Sequence, residues 1–416
     1  MHNTEKGTIA WLFLVAVIVR LAALWIVPAP PIDDSAQAAY LAGAHKLLHG
    51  EGFRDPSYPI YAPPLYGMFI AFLQSIFGED LGPVKIVQVM VDSVTVILVF
   101  LIMREIFNAR TGLLAAAVLA VYPFAIYLAI SIAAEPLVTC LLAGFVLLVI
   151  YAVRLQDLRY FAAAGIVLGL ATLTRGATQF LPFLLVFVLV FLIRGGKQVL
   201  ISYMVCLAGF VLVISPWTVR NLVVLDDVIP VATAGGIVIL MGSNETYLTI
   251  PGKTEMNEKY PPPQGIKPSE VDRYWRNAGI TEHLRHLQAD PIGFVTFNIA
   301  KFFRLWYATE SGDNHQWTLG GNLPLYLLAC VGLVIALRTQ QYLVLIPLFV
   351  IGYYALLHWA SLPLFRYMMP VMPYVIGLAS FGALGWANQI GFVQRFPETL
   401  LSATSKQPSL DSHPER

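Results

Sequence analysis

Apolar residues in this chain gather into runs too long for one face of a soluble helix, and polar residues fall in the intervals between them. The runs lie at about 8–27, 84–103, 112–130, 136–153, 160–174, 177–193, 198–215, 323–337, 342–358 and 364–389. Most approach the roughly 20 residues that a helix needs to cross a ~30 Å hydrocarbon layer. The pattern predicts an all-α polytopic membrane protein with roughly ten transmembrane helices, the shorter runs being the least certain to span.

Two intervals are too patterned to be plain connectors. In 28–83, Ala36, Tyr40, Ala44, Leu47 and Leu48 recur near helical spacing as far as Gly50, a suitable helix stop. The stretch "PPLYGMFIAFLQSIFG" (63–78) opens with Pro where a helix admits it and is apolar nearly all round. Both predict interfacial helices in a first outer loop. The second interval, about 216–320, holds turn residues, the tract "YPPPQG", an amphipathic charged run from Ser269 to Asp290, and "DPIGFVTFNIAKFFRLWY". In the last, Lys301 and Arg304 interleave with aromatics, a composition suited to lipid headgroups. The expected organisation is a transmembrane module over 1–320 with outer loops 28–83 and 216–320, further helices over 321–395, and a polar cytoplasmic tail, 396–416, with nothing to bury. No internal repeat is evident.

Composition agrees with lipid as the solvent: 57% of residues are hydrophobic and 12% charged. A net charge of +1 excludes a global basic field for nucleic acid. Local charge sets a direction. Lys6, Arg104, Arg110, Arg154, Arg159, Arg194, Lys197, Arg338 and Arg395 fall in connections that alternate parity puts on one side, which the positive-inside rule makes cytoplasmic. The N-terminus is then inside and both long loops are outside. The first run is read as a retained helix, because it is long, contains Arg20 and leads into "VPAPP" instead of a small-residue cleavage site. Cys140, Cys206 and Cys330 lie inside apolar runs and read as small hydrophobes.

Candidate chemistry begins at "PPIDDSAQAAY". One helix start needs one capping acid, yet Asp33 and Asp34 stand together. Adjacent carboxylates repel unless one is protonated or a cation or substrate hydroxyl lies between them, and such pairs push one pKa toward useful base strength. The same pair also suits a divalent cation, so metal dependence is left open. Glu135 in "ISIAAEPLV" falls by parity on the same outer face, where dipole-favoured placement at a helix start competes with a supporting role. Arg175, Arg220 and Arg366, with Arg20, bring guanidiniums toward the outer half. Singly, each reads as snorkelling to headgroups; together they match phosphate oxygens. His315 and the His283/His286 pair read as loop residues, and "NET" at 244–246 is a frequent pattern with no assigned role. No Walker loop, dinucleotide fingerprint or zinc spacing occurs, and no cofactor is required by the sequence.

The stretch "IDDSAQAAYLAGAHKLLHGEG", with "YAPPLYG", "AAEPLV", "LTRGATQFLP", "SPWTVRNLVVLDDVIPVATAGGIVILMGSN" and "FRYMMPVMPY", resembles the lipid-phosphate-sugar-dependent glycosyltransferases of the protein O-mannosyltransferase and aminoarabinose transferase type. The resemblance extends to about residue 375. It departs where the family more often has Asp-Glu and this chain has Asp33-Asp34. It implies a GT-C membrane fold and an inverting transfer, on the extracytoplasmic side, of a sugar from a polyprenyl-phosphate donor to a lipid, glycan or protein acceptor. Asp33 is then expected to take the acceptor proton, Asp34 to orient or share it, Glu135 to support them, and Arg220, Arg366 and Arg175 to hold the donor phosphate. The rival reading, a transporter or flippase of lipid-linked sugars, would also use many spans and cavity arginines, but it does not call for an acid pair in a structured outer loop.

Overall fold

A computed structural model describes residues 3–28, 35–53, 62–248, 250–261, 263–309 and 315–389, and these form helices with no strand. In chain order the helices are α1 (Asn3–Ile26), α2 (Ser35–Leu48), α3 (Pro64–Phe77), α4 (Leu81–Ile106), α5 (Ala109–Ala120), α6 (Pro123–Ile130), α7 (Glu135–Leu155), α8 (Leu158–Thr174) and α9 (Leu181–Leu192). There follow α10 (Gly196–Leu225), α11 (Gly235–Met241), α12 (Ile250–Lys259), α13 (Pro268–Ala289), α14 (Pro291–Arg304), α15 (His315–Arg338), α16 (Leu345–Ala360), α17 (Phe365–Met368) and α18 (Met372–Gln389).

Among the described residues, seven helical segments are long and apolar enough to cross a membrane, and α5 with α6, bent by 54°, makes an eighth. The other two expected spans are α8, of 17 residues, and α9, of 12. At 1.5 Å per residue they are about 25 Å and 18 Å long, so ten runs by composition become seven full-length helices, one bent pair and two short helices. The alternation of ends survives. Glu135, Arg175 and Arg366, at the ends of different helices, converge at one end, while Arg154 of α7 pairs with Glu105 of α4 at the other. α2 and α3 form where periodicity places them, and Gly50 beyond α2 has φ +74°, a conformation that favours glycine.

Close backbone approach is coded by small residues. A Cβ on Gly332 of α15 would lie 2.0 Å from the Leu378 carbonyl of α18, and one on Gly382 would lie 2.1 Å from that of Leu328. With lipid on the outer side, this contact replaces hydrophobic drive as the force holding the two helices together.

Arg20 of α1 corrects an expectation. Neither snorkelling nor available to phosphate, it is fully buried, with Nε 2.6 Å from Asp92 Oδ2 of α4. Its Nη1 also donates to the Ala120 carbonyl at 3.0 Å, where α5 ends at the bend. A break in a membrane helix exposes carbonyls that lipid cannot satisfy, and a buried cation needs an anion; one side chain answers both needs. Gln88 of α4 does the same for the end of α6, donating to the Ala129 carbonyl at 2.9 Å while accepting from Tyr66 Oη at 2.6 Å.

Candidate active site

Four helix ends build the site. α7 starts at Glu135, with Pro136 in its first turn, where the missing N–H is no loss, and the acid sits at the favourable end of the helix dipole. α8 ends at Thr174, and Arg175, in extended backbone, turns the chain toward α9. The loop after α16 leads through Pro363 into α17, which carries Arg366 and Tyr367. α3 adds Tyr66, fully buried.

Glu135 is 1% exposed and lies between two guanidiniums. Arg175 Nη1 donates to its Oε1. Arg366 donates from Nε to the same oxygen at 2.5 Å and from Nη2 to Oε2 at 3.4 Å. The Arg175 guanidinium carbon stands 4.6 Å from the Tyr367 ring centroid, so the ring face backs one of the two cations. Each guanidinium carries five N–H donors, more than one carboxylate accepts. A carboxylate this buried is tolerable because charged donors approach it from two helices.

The expected site residues divide into three groups. Glu135, Arg175 and Arg366 come together, with the Glu135 carboxylate between the two guanidiniums. Arg220 has other partners: it donates to the Phe53 carbonyl and to Asn221 Oδ1, and its guanidinium lies 5.0 Å from the Trp217 ring. At 30 residues, α10 is about 45 Å long, so its last turns extend past the apolar layer and carry Trp217, Arg220 and Asn221 to the first long loop. Asp33 and Asp34 lie outside the described residues. The helix that follows them is α2, whose Tyr40 packs edge-on against Tyr66 at 4.9 Å and lies within electrostatic reach of Arg175.

Sequence reasoning did not single out Tyr66, Gln88 or His358. His358 is 7% exposed, and neither ring nitrogen has a hydrogen-bond partner among the described residues; its ring is 5.0 Å from that of Tyr367. In an apolar run such residues look like any amphipathic filler, and only folding brings Tyr66 and His358 near the arginines and Gln88 to the end of α6. Among the described residues, no three His, Cys, Asp or Glu side chains are grouped to hold a metal ion.

Residues 61–219 match the family described as dolichyl-phosphate-mannose-protein mannosyltransferase. No curated protein sequence matches the chain. Its fold is similar to that of the apo oligosaccharyltransferase from Archaeoglobus fulgidus, with TM-score 0.60 and 13% identity over 98% of this chain and 52% of that one. It is also similar to the same organism's oligosaccharyltransferase AglB in complex with an inhibitory peptide and a dolichol-phosphate, with TM-score 0.58 and 12% identity over 99% of this chain and 53% of that one. The chain thus spans about half the length of these transferases. It is a multi-pass membrane protein with the GT-C fold, and over residues 61–219 it is similar to the dolichyl-phosphate-mannose-protein mannosyltransferase family.

Proposed function

We propose that this protein is an integral-membrane inverting glycosyltransferase that moves a sugar from a polyprenyl-phosphate donor to an acceptor on the extracytoplasmic side of the cell membrane. The observation that carries the reading is the buried Glu135 held between Arg175 and Arg366 at one end of the helix bundle, beside the helix that follows Asp33 and Asp34. It puts two charge-bearing forks near α2, the helix that opens the structured part of the first long loop. The matched family segment and the dolichol-phosphate bound by a protein of the same fold support a lipid-phosphate donor.

In this reading Asp33 accepts the proton of the acceptor hydroxyl or amine as its heteroatom attacks the anomeric carbon, and the bond from that carbon to the phosphate oxygen breaks. Charge grows on the departing phosphate, where guanidinium donors stabilise it more in the transition state than in the ground state. Glu135 holds Arg175 and Arg366 at a fixed separation, Tyr66 and Gln88 fix the α6–α7 turn that presents Glu135, and Arg220 ties the first loop to α10. The helices after residue 321 complete this cluster by supplying Arg366.

The test is transfer by the purified chain in lipid from a radiolabelled polyprenyl-phosphate sugar to envelope lipid, glycan and protein fractions, with a nucleotide sugar as the contrasting donor. Transfer from the lipid donor alone is expected. Movement of intact lipid-linked sugar across the bilayer with no glycosidic bond made would replace this reading with the flippase one.

A further inference from the structure

We infer that the open cleft between the turn after α11 and the α13–α14 hairpin is the carbohydrate-binding acceptor site of this protein. The cleft has a volume of about 740 Å³ and is lined by Asn244 and Thr246 on the turn, Arg285 and His286 on α13, and Thr296 and Phe297 on α14. That is room for a ligand the size of a short oligosaccharide.

The lining specifies a neutral, hydroxyl-rich ligand. Glu282 at its edge already accepts from Tyr260 Oη, from Lys259 Nζ at 3.0 Å and from Arg285 Nη1 at 3.2 Å. Glu282 is paired with Lys259 and Arg285, and Asn244, Glu245, Thr246 and Thr296 add amide, carboxylate and hydroxyl groups, a mixed set of donors and acceptors that sugar hydroxyls can satisfy. The half-buried His286 ring, 5.7 Å from the buried Phe297 ring and tilted 45° to it, gives the cleft one aromatic side chain against which a pyranose C–H face can pack. An extended peptide binds by adding to a strand edge or by filling side-chain pockets, and the described residues contain no strand.

The cleft also shares a wall with the arginine site. Phe297 packs in one cluster with Leu362, Leu364 and Tyr367, and Tyr367 lies against Arg175. Two hydrogen bonds clamp α14 and the chain after it to this segment, from Trp359 Nε1 to the Asn298 carbonyl at 2.7 Å and from the Phe365 amide to the Ala308 carbonyl at 2.8 Å, while Lys301 Nζ ties α14 to the turn after α11 through the Gly242 carbonyl at 2.7 Å. A sugar chain in the cleft is therefore held beside the loop that delivers Arg366.

The binding claim stands on the cleft alone; its role as acceptor site rests on the transferase reading. Cellobiose and chitobiose, with a short unstructured peptide as the contrasting probe, are to be tested by saturation-transfer NMR on the full chain in detergent. Saturation transfer to at least one disaccharide is expected in the wild type and in Thr296→Ser. It should be weakened at least tenfold in Thr296→Trp, which fills the cleft from an exposed position, and in Arg285→Ala. No signal from either disaccharide, equal signals in Thr296→Trp, or binding of the peptide alone overturns the inference. Arg366→Lys separates the two claims, since it should keep disaccharide binding while losing transfer. Wild-type transfer with no disaccharide binding would sink the cleft and leave the transferase reading standing.

Discussion

Arg366 reaches Glu135 across 231 positions of the chain, its Nε 2.5 Å from one carboxylate oxygen and its Nη2 3.4 Å from the other. Both donors of one fork meet both oxygens of one acid. Lysine keeps the charge but has no fork. Arg366→Lys is therefore expected to fold, with a lowered melting midpoint, and to lose transfer by roughly 10²-fold or more, the scale for removing one transition-state donor. Glu135→Gln should be worse for folding, because Arg175 and Arg366 then face each other with less compensation. Melting curves and donor turnover on both variants decide this, and wild-type turnover in Arg366→Lys would make the pair purely structural.

Asp33→Asn keeps size and helix-capping ability while removing the proton acceptor. If Asp33 is the base, stability holds and transfer falls by roughly 10²–10⁴-fold. Asp34→Asn is expected to do less if it only orients the acceptor, and as much if the two carboxylates titrate as a pair. Near-normal transfer by well-folded Asp33→Asn would move the chemistry elsewhere.

The Arg20–Asp92 pair invites a cycle. Removing one member leaves an uncompensated charge inside the bundle, for which a cost of roughly 3–5 kcal/mol is expected. Asp92→Asn and Arg20→Leu should each lower yield and melting temperature sharply. The Arg20→Leu, Asp92→Leu double variant should recover part of the loss, but not all, because the Ala120 carbonyl at the bend loses its donor. Additive losses in the double variant would mean that the two side chains act independently.

Orientation is open to a direct check. A cysteine placed at position 52 should react with an impermeant reagent from outside intact cells, and one in the 194–197 turn only after permeabilisation. The opposite pattern inverts the topology and removes the extracytoplasmic mechanism.

The α13–α14 hairpin carries a pH dependence. Burial, with Lys301 and His286 adding positive charge, lowers His283 from the usual 6.5 to about 4. The folded chain then binds fewer protons than the unfolded one between these values, so stability is full above about pH 6.5 and declines as pH falls toward 4. Hydrogen exchange of the hairpin amides should report this decline, and His283→Gln should flatten it. An unchanged slope in His283→Gln assigns the effect to other groups.

What the sequence determines by itself is everything that follows from solvent and period. Long apolar runs must be helices in lipid, because no other element satisfies its own backbone there, and α2, α3, α13 and α14 lie where short-range spacing and turn residues put them. The parity of those runs was enough to assign Glu135, Arg175 and Arg366 to one side, since each sits at a helix end and alternate ends share a face. Which arginine meets which acid was not legible. Arg20, Arg175, Arg220 and Arg366 look alike in sequence, yet one is locked to Asp92, two grip Glu135 and one holds the first loop. Those partners lie 40 to 231 positions away, and a guanidinium finds its acid by the rotation and depth of packed helices, which are set by contacts such as Gly332 against Gly382. Hydrophobicity carries no information about rotation when a helix is apolar on every side, so only the tertiary structure decided which acid or carbonyl each arginine meets.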